Sequence, residues 1–235
     1  MTLIEQMVAH AAEQPTVEVC GLVASTGSAW RLIRATNINH KPTESFTLDP
    51  DAWLELADDE DVIAIYHSHP KTSPDPSWAD RAMCEATSLE WHIVTPDGRH
   101  RVTAPTGYVT PYEGRPYVYL VHDCFTLLRD FYEREFAITV DDMERPFEFW
   151  LGDNDLLVEG FEARGFRSVA GEEPRRGDVF MMKVAARVTN HLAVYLEGGK
   201  MLHHVAGRLS RADEYNEDWR RRTTHHLRHI DRMEK

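Results

Sequence analysis

Residues 61–80 read DVIAIYHSHPKTSPDPSWAD, and the parsing of this stretch decides the architecture of the first half of the chain. Asp61–Tyr66 is β-branched and apolar, which predicts a strand, and Pro70 stops it. Residues two apart on a strand share a face, so His67 and His69 aim two imidazoles at one point while Ser68 faces away. Pro70, Pro74 and Pro76 stiffen the loop that follows. Ser77 sits where an N-cap belongs, and Asp80, three residues on, faces the same way in the first turn of a helix. Two imidazoles and a returning carboxylate supply the three protein ligands of a catalytic zinc, which keeps one position for water. That water needs a base. Glu18, set in the apolar run Val17–Val23, has no other reason to be buried. Taken singly the parts are ordinary: a strand-end histidine pair, a helix cap worth about 1 kcal/mol, an edge-strand acid.

Around this centre the chain alternates helix and strand signals. Leu3, Met7, Val8 and Ala11 fall at helical spacing before Pro15. Residues 17–25 and 30–38 read as strands joined at Thr26-Gly27-Ser28, residues 49–60 as a short helix with an acidic start. Residues 77–90 read as a helix and 91–98 as a strand closed by Pro-Asp-Gly. This makes a mixed α/β unit over residues 1–100. Pro105, Gly107, Pro111, Gly114 and Pro116 then predict a linker or wrapping arm over 101–116. In the second unit, 117–235, helices over 122–137 and 155–166 precede strands over 175–184, 191–199 and 200–205. The whole is an α+β chain of two domains.

Composition narrows the function. With 42% hydrophobic and 28% charged residues, 235 residues suffice for two cores. The net charge of −13 argues against nucleic acid as a partner. The opening MTLIEQMVAHAAEQP mixes acids among apolar residues, so it reads as neither signal peptide nor membrane span, and membrane insertion is not expected. Cys20, Cys84 and Cys124 lack paired spacing, as in a protein kept in a reducing cytoplasm.

The second unit carries its own candidate centre. Asp123-Cys124 opens a helix, whose N-terminus favours a thiolate and whose free N–H groups can cradle an oxyanion. His191 opens a strand, and His203 lies 12 residues on, across the Gly198-Gly199 turn. Pairing of those strands sets His203 beside His191, so that one imidazole orients the other, which takes the proton of Cys124. His203 and His204 alternate faces, and which of them looks inward stays open. Cys20 and Cys84 read as packed thiols. The tail, residues 214–232, holds His225, His226 and His229 without a carboxylate or cysteine framework, and reads as a solvated terminal helix or arm.

Glu18 with Cys20-Gly21, then His67-x-His69, seven residues, Ser77, two residues and Asp80 resemble the full signature of JAMM/MPN metallopeptidases. The resemblance implies a sandwich-like fold over the first hundred residues, zinc on His67, His69 and Asp80, Glu18 acting on the water, and Ser77 stabilising the tetrahedral intermediate. Asp123-Cys124-Phe125, Arg176-Gly177-Asp178-Val179-Phe180, Asn190–Leu196 and Met201–His204 resemble the NlpC-type cysteine peptidases, with a minimal papain-like fold and Cys124, His191 and His203 as catalytic residues. Phe125 stands where that family usually has a small residue, which predicts a reshaped cleft. The two together, with Gly207–Ser210, Trp219 and Arg222-Thr223, are similar to the tail-tip assembly protein K family of long-tailed phages. That resemblance implies peptidoglycan stem peptides as substrate, tail-tip or baseplate proteins as partners, and the bacterial host cytoplasm, then the virion tail tip, as location. Two other classes compete: a structural tail assembly factor in which one or both sites are vestigial, zinc serving at most to fold it, and a bacterial deconjugase of a protein modifier.

Overall fold

The computed structural model describes residues 1–233. It divides into two compact units, Met1–Thr110 and Pro111–Lys235. The last two residues of the second unit lie outside the described residues. Among the described residues no helix is long and apolar enough to cross a membrane.

The first unit opens with helix α1 (Leu3–Glu13), whose start is fixed by a reciprocal cap between Thr2 and Glu5. Strands β1 (Cys20–Ser25), β2 (Trp30–Ala35) and β3 (Asp61–Ser68) follow, then helix α2 (Trp78–Thr87), β4 (Glu90–Val94) and β5 (His100–Thr103). They form one sheet in the order β2-β1-β3-β4-β5. Only β3 and β4 run parallel, because α2 carries the chain back between them. β1 is buried throughout, and its side chains alternate between two cores. Val19 and Val23 pack with Met7 and Ala11 of α1, while Leu22 and Ala24 pack with Cys84 of α2 and Trp91. Gly21 has to be glycine, since a Cβ there would stand 2.2 Å from the Ile33 carbonyl oxygen and 2.4 Å from Tyr66.

Four expectations change here. Residues 101–108, the start of the expected linker or wrapping arm, are bound to the first unit: β5 pairs with β4, and the Glu85 carboxylate gathers the N–H groups of Thr106, Gly107 and Tyr108. The division falls at Thr110 and Pro111, not at 100 and 117. Residues 49–60 yield only a 3-10 turn, Pro50–Glu55. Glu18 lies just before β1 rather than within it.

The second unit begins with α3 (Cys124–Phe136) and α4 (Leu156–Ala163), then β6 (Phe166–Ser168), β7 (Val179–Met182), β8 (His191–Tyr195), β9 (Lys200–His203) and β10 (Arg211–Glu214). Helix α5 (Glu217–Arg222) and strand β11 (Thr223–His229) complete it. The sheet order is β10-β9-β8-β7-β11-β6. Leu128 and Phe131 of α3 and Phe161 of α4 cover one face, against Met181, Leu192 and Leu202. Trp219 of α5 and Tyr215 cover the other, against Phe180 and Met201. The tail is therefore not a solvated arm, because β11 is an interior strand between β7 and β6. Its charged residues are neutralised inside: Arg228, 2% exposed, pairs with Asp178 at 2.8 Å and with Glu172 at 2.7 Å. His226 Nε2 reaches Asp178 at 2.7 Å.

Candidate active sites

In the first unit, His67 near the end of β3 and His69 just past it converge on Asp80 of α2. Their Nε2 atoms stand 3.1 Å apart, and the Asp80 carboxylate lies 3.3 Å from each. All three residues are buried. Asp80 comes back under the strand end through its helix cap: the Ser77 N–H donates to Asp80 Oδ2 at 2.7 Å, and Ser77 Oγ accepts from the Asp80 N–H. His69 Nδ1 donates to the Ser73 carbonyl at 2.8 Å, so its Nε2 presents a lone pair to the other two groups. Phe46 stacks on the His67 ring, while the buried His67 Nδ1 has no hydrogen-bond partner among the described residues.

This donor set fits a zinc ion. Ligand atoms about 2.0–2.1 Å from a tetrahedral zinc stand roughly 3.3 Å from one another. Two facing Nε2 atoms and a carboxylate at 3.1–3.3 Å match that spacing, and the imidazoles alone have no such need to converge. Burial raises the Asp80 pKa, but the two histidines outweigh it and hold the carboxyl far below its usual range. Burial lowers His69, and its bonds to Asp80 and Ser73 raise it above an ordinary imidazole.

Ser68, facing away from the pair, positions the fourth group. Its Oγ accepts the Val19 N–H at 2.9 Å, and its own N–H donates to the Val19 carbonyl at 2.9 Å. That double clamp sets Glu18 beside the histidines. Glu18 is 8% exposed, and burial raises its pKa, opposed by His67 and His69 and reinforced by Asp80. It borders a cavity of about 310 Å³ with His10, Gln14, Arg34 and Asn37.

In the second unit, Asp123 caps α3 by accepting the Phe125 and Thr126 N–H groups, each at 2.9 Å. Cys124 is half-buried at the first helical position. Desolvation and the Asp123 charge push its thiol up to about 12, while the Leu192 N–H, Arg145 and the helix's own first N–H pull it down. His191 Nε2 lies 3.0 Å from His203 Nδ1, and His203 Nε2 lies 3.1 Å from Asp213 Oδ2. A carboxylate only accepts, so His203 carries its proton on Nε2 and accepts from His191 through Nδ1. The basic nitrogen of His191 is then Nδ1. Trp219 stands edge-on to His203, with ring centroids 4.8 Å apart. Burial lowers His191 to about 3, helped by His203 and His204.

Of the two neighbouring histidines, His203 meets His191. His204 turns to the Arg208 carbonyl and the Tyr117 ring. Among the described residues Cys124 and His191 share no hydrogen bond. Phe125 is 1% exposed and packs on Phe161, so its side chain belongs to the core and lines no surface. The sequence reading missed Asp213, Arg145 and Phe46. Asp213 sits in Arg-Ala-Asp-Glu, which looks like any solvated strand, and only the β9–β10 pairing brings it to His203. Cys20 and Cys84 are buried thiols whose sulfurs face backbone carbonyls, Cys20 Sγ that of Ala35 and Cys84 Sγ that of Leu89, although Cys20 lies opposite His67 in the β1–β3 register.

These two centres define a chain with two hydrolase-type domains. Residues 2–105 match the model of prokaryotic homologues of the JAB domain, and residues 114–228 match the NlpC/P60 family. Over 97% of its length the chain is 35% identical to tail tip assembly protein K of Escherichia phage N15, covering 94% of that protein. It is 32% identical to tail tip assembly protein K of Escherichia phage lambda, over 77% of this chain and 89% of that one. The first unit is also 31% identical to the desampylase of Haloferax volcanii, over 41% of this chain and 76% of that protein. The chain belongs to the tail tip assembly protein K family.

Proposed function

We propose that the protein is a bifunctional peptide hydrolase of a phage tail tip, acting in tail assembly and in penetration of the host wall. What supports the reading is the convergence of His67, His69 and Asp80 at 3.1–3.3 Å in the first unit, with the His191–His203–Asp213 chain of hydrogen bonds in the unit whose α3 opens at Cys124. In the first unit, zinc held by His67, His69 and Asp80 would supply a Lewis acid for the scissile carbonyl and its attacking water. Glu18 takes the proton of that water and passes it to the departing amine, and its raised pKa suits both transfers. The Ser77 cap uses the hydroxyl's lone pair, which leaves its O–H to donate to the developing oxyanion. Peptide or isopeptide bonds are the substrate class, and likeness to a desampylase supports it.

In the second unit Cys124 passes its proton to His191 Nδ1 and attacks a stem-peptide carbonyl to form an acyl-enzyme. His191 protonates the leaving amine, and water then releases the acyl group. His203 and Asp213 hold His191 in the tautomer this needs. The Cys124 N–H lies at the helix start outside the Asp123 cap and serves the oxyanion. Partners are tail-tip or baseplate proteins, met in the host cytoplasm during assembly.

The test is elemental analysis of the native protein and His67→Ala, with hydrolysis of peptidoglycan fragments by native protein and Cys124→Ala. Expected are about one zinc per native chain, lost in His67→Ala, and fragment cleavage lost only in Cys124→Ala. A folded, metal-free native protein would sink the first half of the reading, and cleavage surviving in Cys124→Ala the second.

A further inference from the structure

An Asp-Cys pair at a helix start contains a conflict. The cap carboxylate of Asp123 stands next to the sulfur that must become an anion, and like charges oppose each other. Asp123 is 2% exposed, so water does little to screen it. Arg145, from the segment between α3 and α4, is buried to 4% exposure against this point. Its Nη2 donates to Asp123 Oδ2 at 3.1 Å, and its guanidinium carbon lies 4.2 Å from the centroid of the Phe125 ring. Both chain neighbours of Cys124 therefore bind one guanidinium. Nη1 reaches Asp142 at 3.1 Å, and the Arg145 carbonyl accepts from the Tyr119 hydroxyl at 2.9 Å, so the side chain is fixed from several directions.

We propose that Arg145 is a positioning residue for the Cys124 nucleophile, a buried cation that neutralises the Asp123 cap and so lets a thiolate form one residue away. This rests on the reading of Cys124 as nucleophile. Phe125 is then the seat of that cation, which accounts for a large aromatic residue where a small one is usual. The groups acting on the sulfur are few: Asp123 from its own helix, Arg145 from the segment before α4, the Leu192 N–H of β8, and Tyr117 and Tyr119 from the approach to α3. His191, one residue before Leu192, receives the proton. Of these groups Arg145 is the permanent cation.

The experiment follows the pH dependence of iodoacetamide alkylation of Cys124 in the full chain, read by mass spectrometry of the Cys124 peptide. Arg145→Met should raise the midpoint by about one unit or more, an opposite charge at this range being worth one to three. Asp123→Asn, which keeps the helix cap, should lower the midpoint below native. The double variant Asp123→Asn/Arg145→Met should return close to native, and Arg145→Lys should stay there. If Arg145 only held the fold, folded Arg145→Met would keep the native midpoint and the double variant would stay as low as Asp123→Asn, and that result overturns the proposal. A folded double variant as shifted as Arg145→Met would overturn it too. If Arg145→Met does not fold, Arg145→Gln, which keeps hydrogen-bond donors for Asp123 and loses the charge, takes its place, and an unraised midpoint there refutes the proposal. The readout is the thiol's own ionisation, so it succeeds or fails whether or not any peptide is cleaved.

Discussion

Ser77 serves Asp80 through its backbone and its own hydroxyl at once, and the two duties can be separated by substitution. Gly at an N-cap costs only a few tenths of a kcal/mol and carries no side-chain donor. Ser77→Gly should keep the melting temperature and the zinc content nearly unchanged while lowering hydrolysis by the first unit about 100-fold, the cost of one oxyanion donor. Ser77→Ala should lose both, with roughly 1 kcal/mol of stability as well. In the other unit the informative residue is Asp213, about a quarter exposed and bonded to His203. Asp213→Asn should leave the fold unchanged and cut the cysteine-dependent cleavage roughly tenfold or more, because an amide can donate and invite the wrong His203 tautomer. Steady-state kinetics beside a thermal melt tests it. His67, His69 and Asp80 are legible in the sequence because a strand period of two and a helix-cap spacing of three are both local. Asp213 and Arg145 are not, since their partners lie 10 and 22 residues away, and nothing near either marks it as a site residue.

At the scale of elements the same distinction holds. A strand with apolar alternation announces itself, and β1, β3, β7 and β8 did. β11 hid because Thr-Thr-His-His-Leu-Arg-His has one aliphatic residue, and its place inside the sheet depends on Asp178 just before β7. Burial raises the Asp178 pKa, but the bonds from His226 and Arg228 overcome that and bring it to about 2 from 3.8. A depressed folded pKa gives stability that is present above the unfolded value and disappears as the pH falls through the folded one. The β7–β11 tie should therefore contribute about 2 kcal/mol at neutral pH, lost between about pH 4 and 2. Urea midpoints at pH 6 and pH 3 test this: native protein should lose more stability than Asp178→Asn, which starts lower and has the flatter profile. Equal slopes would mean that Asp178 is already protonatable in the fold. Gly21 is the corresponding point in the first sheet. Gly21→Ala has to push back a backbone carbonyl at 2.2 Å, and should destabilise by several kcal/mol, with loss of the His10–Tyr66 bond at 2.8 Å.

For the molecule as a whole, the question is where one folding unit stops. Proline and glycine between residues 101 and 116 look like the composition of a linker, because turn-forming residues carry the same signal whether they join domains or close an edge. The difference is what their backbones bond to. Up to Thr103 the chain pairs with β4, and at 106–108 three consecutive N–H groups converge on Glu85, whose carboxyl they hold below its ordinary pKa. From Gly114 on, backbone groups bond instead to Ser210, inside the second unit. A fragment ending at residue 100 would lack β5, leave β4 as a bare edge, and strip the Glu85 carboxylate of all three donors. One ending at residue 110 keeps them. The 1–110 fragment should thus be soluble, melt cooperatively and hold about one zinc, while 1–100 should melt well below it or aggregate. Thermal melts with elemental analysis decide between them. Equal stability of the two fragments would restore 101–116 as a linker and make the Glu85 contacts incidental.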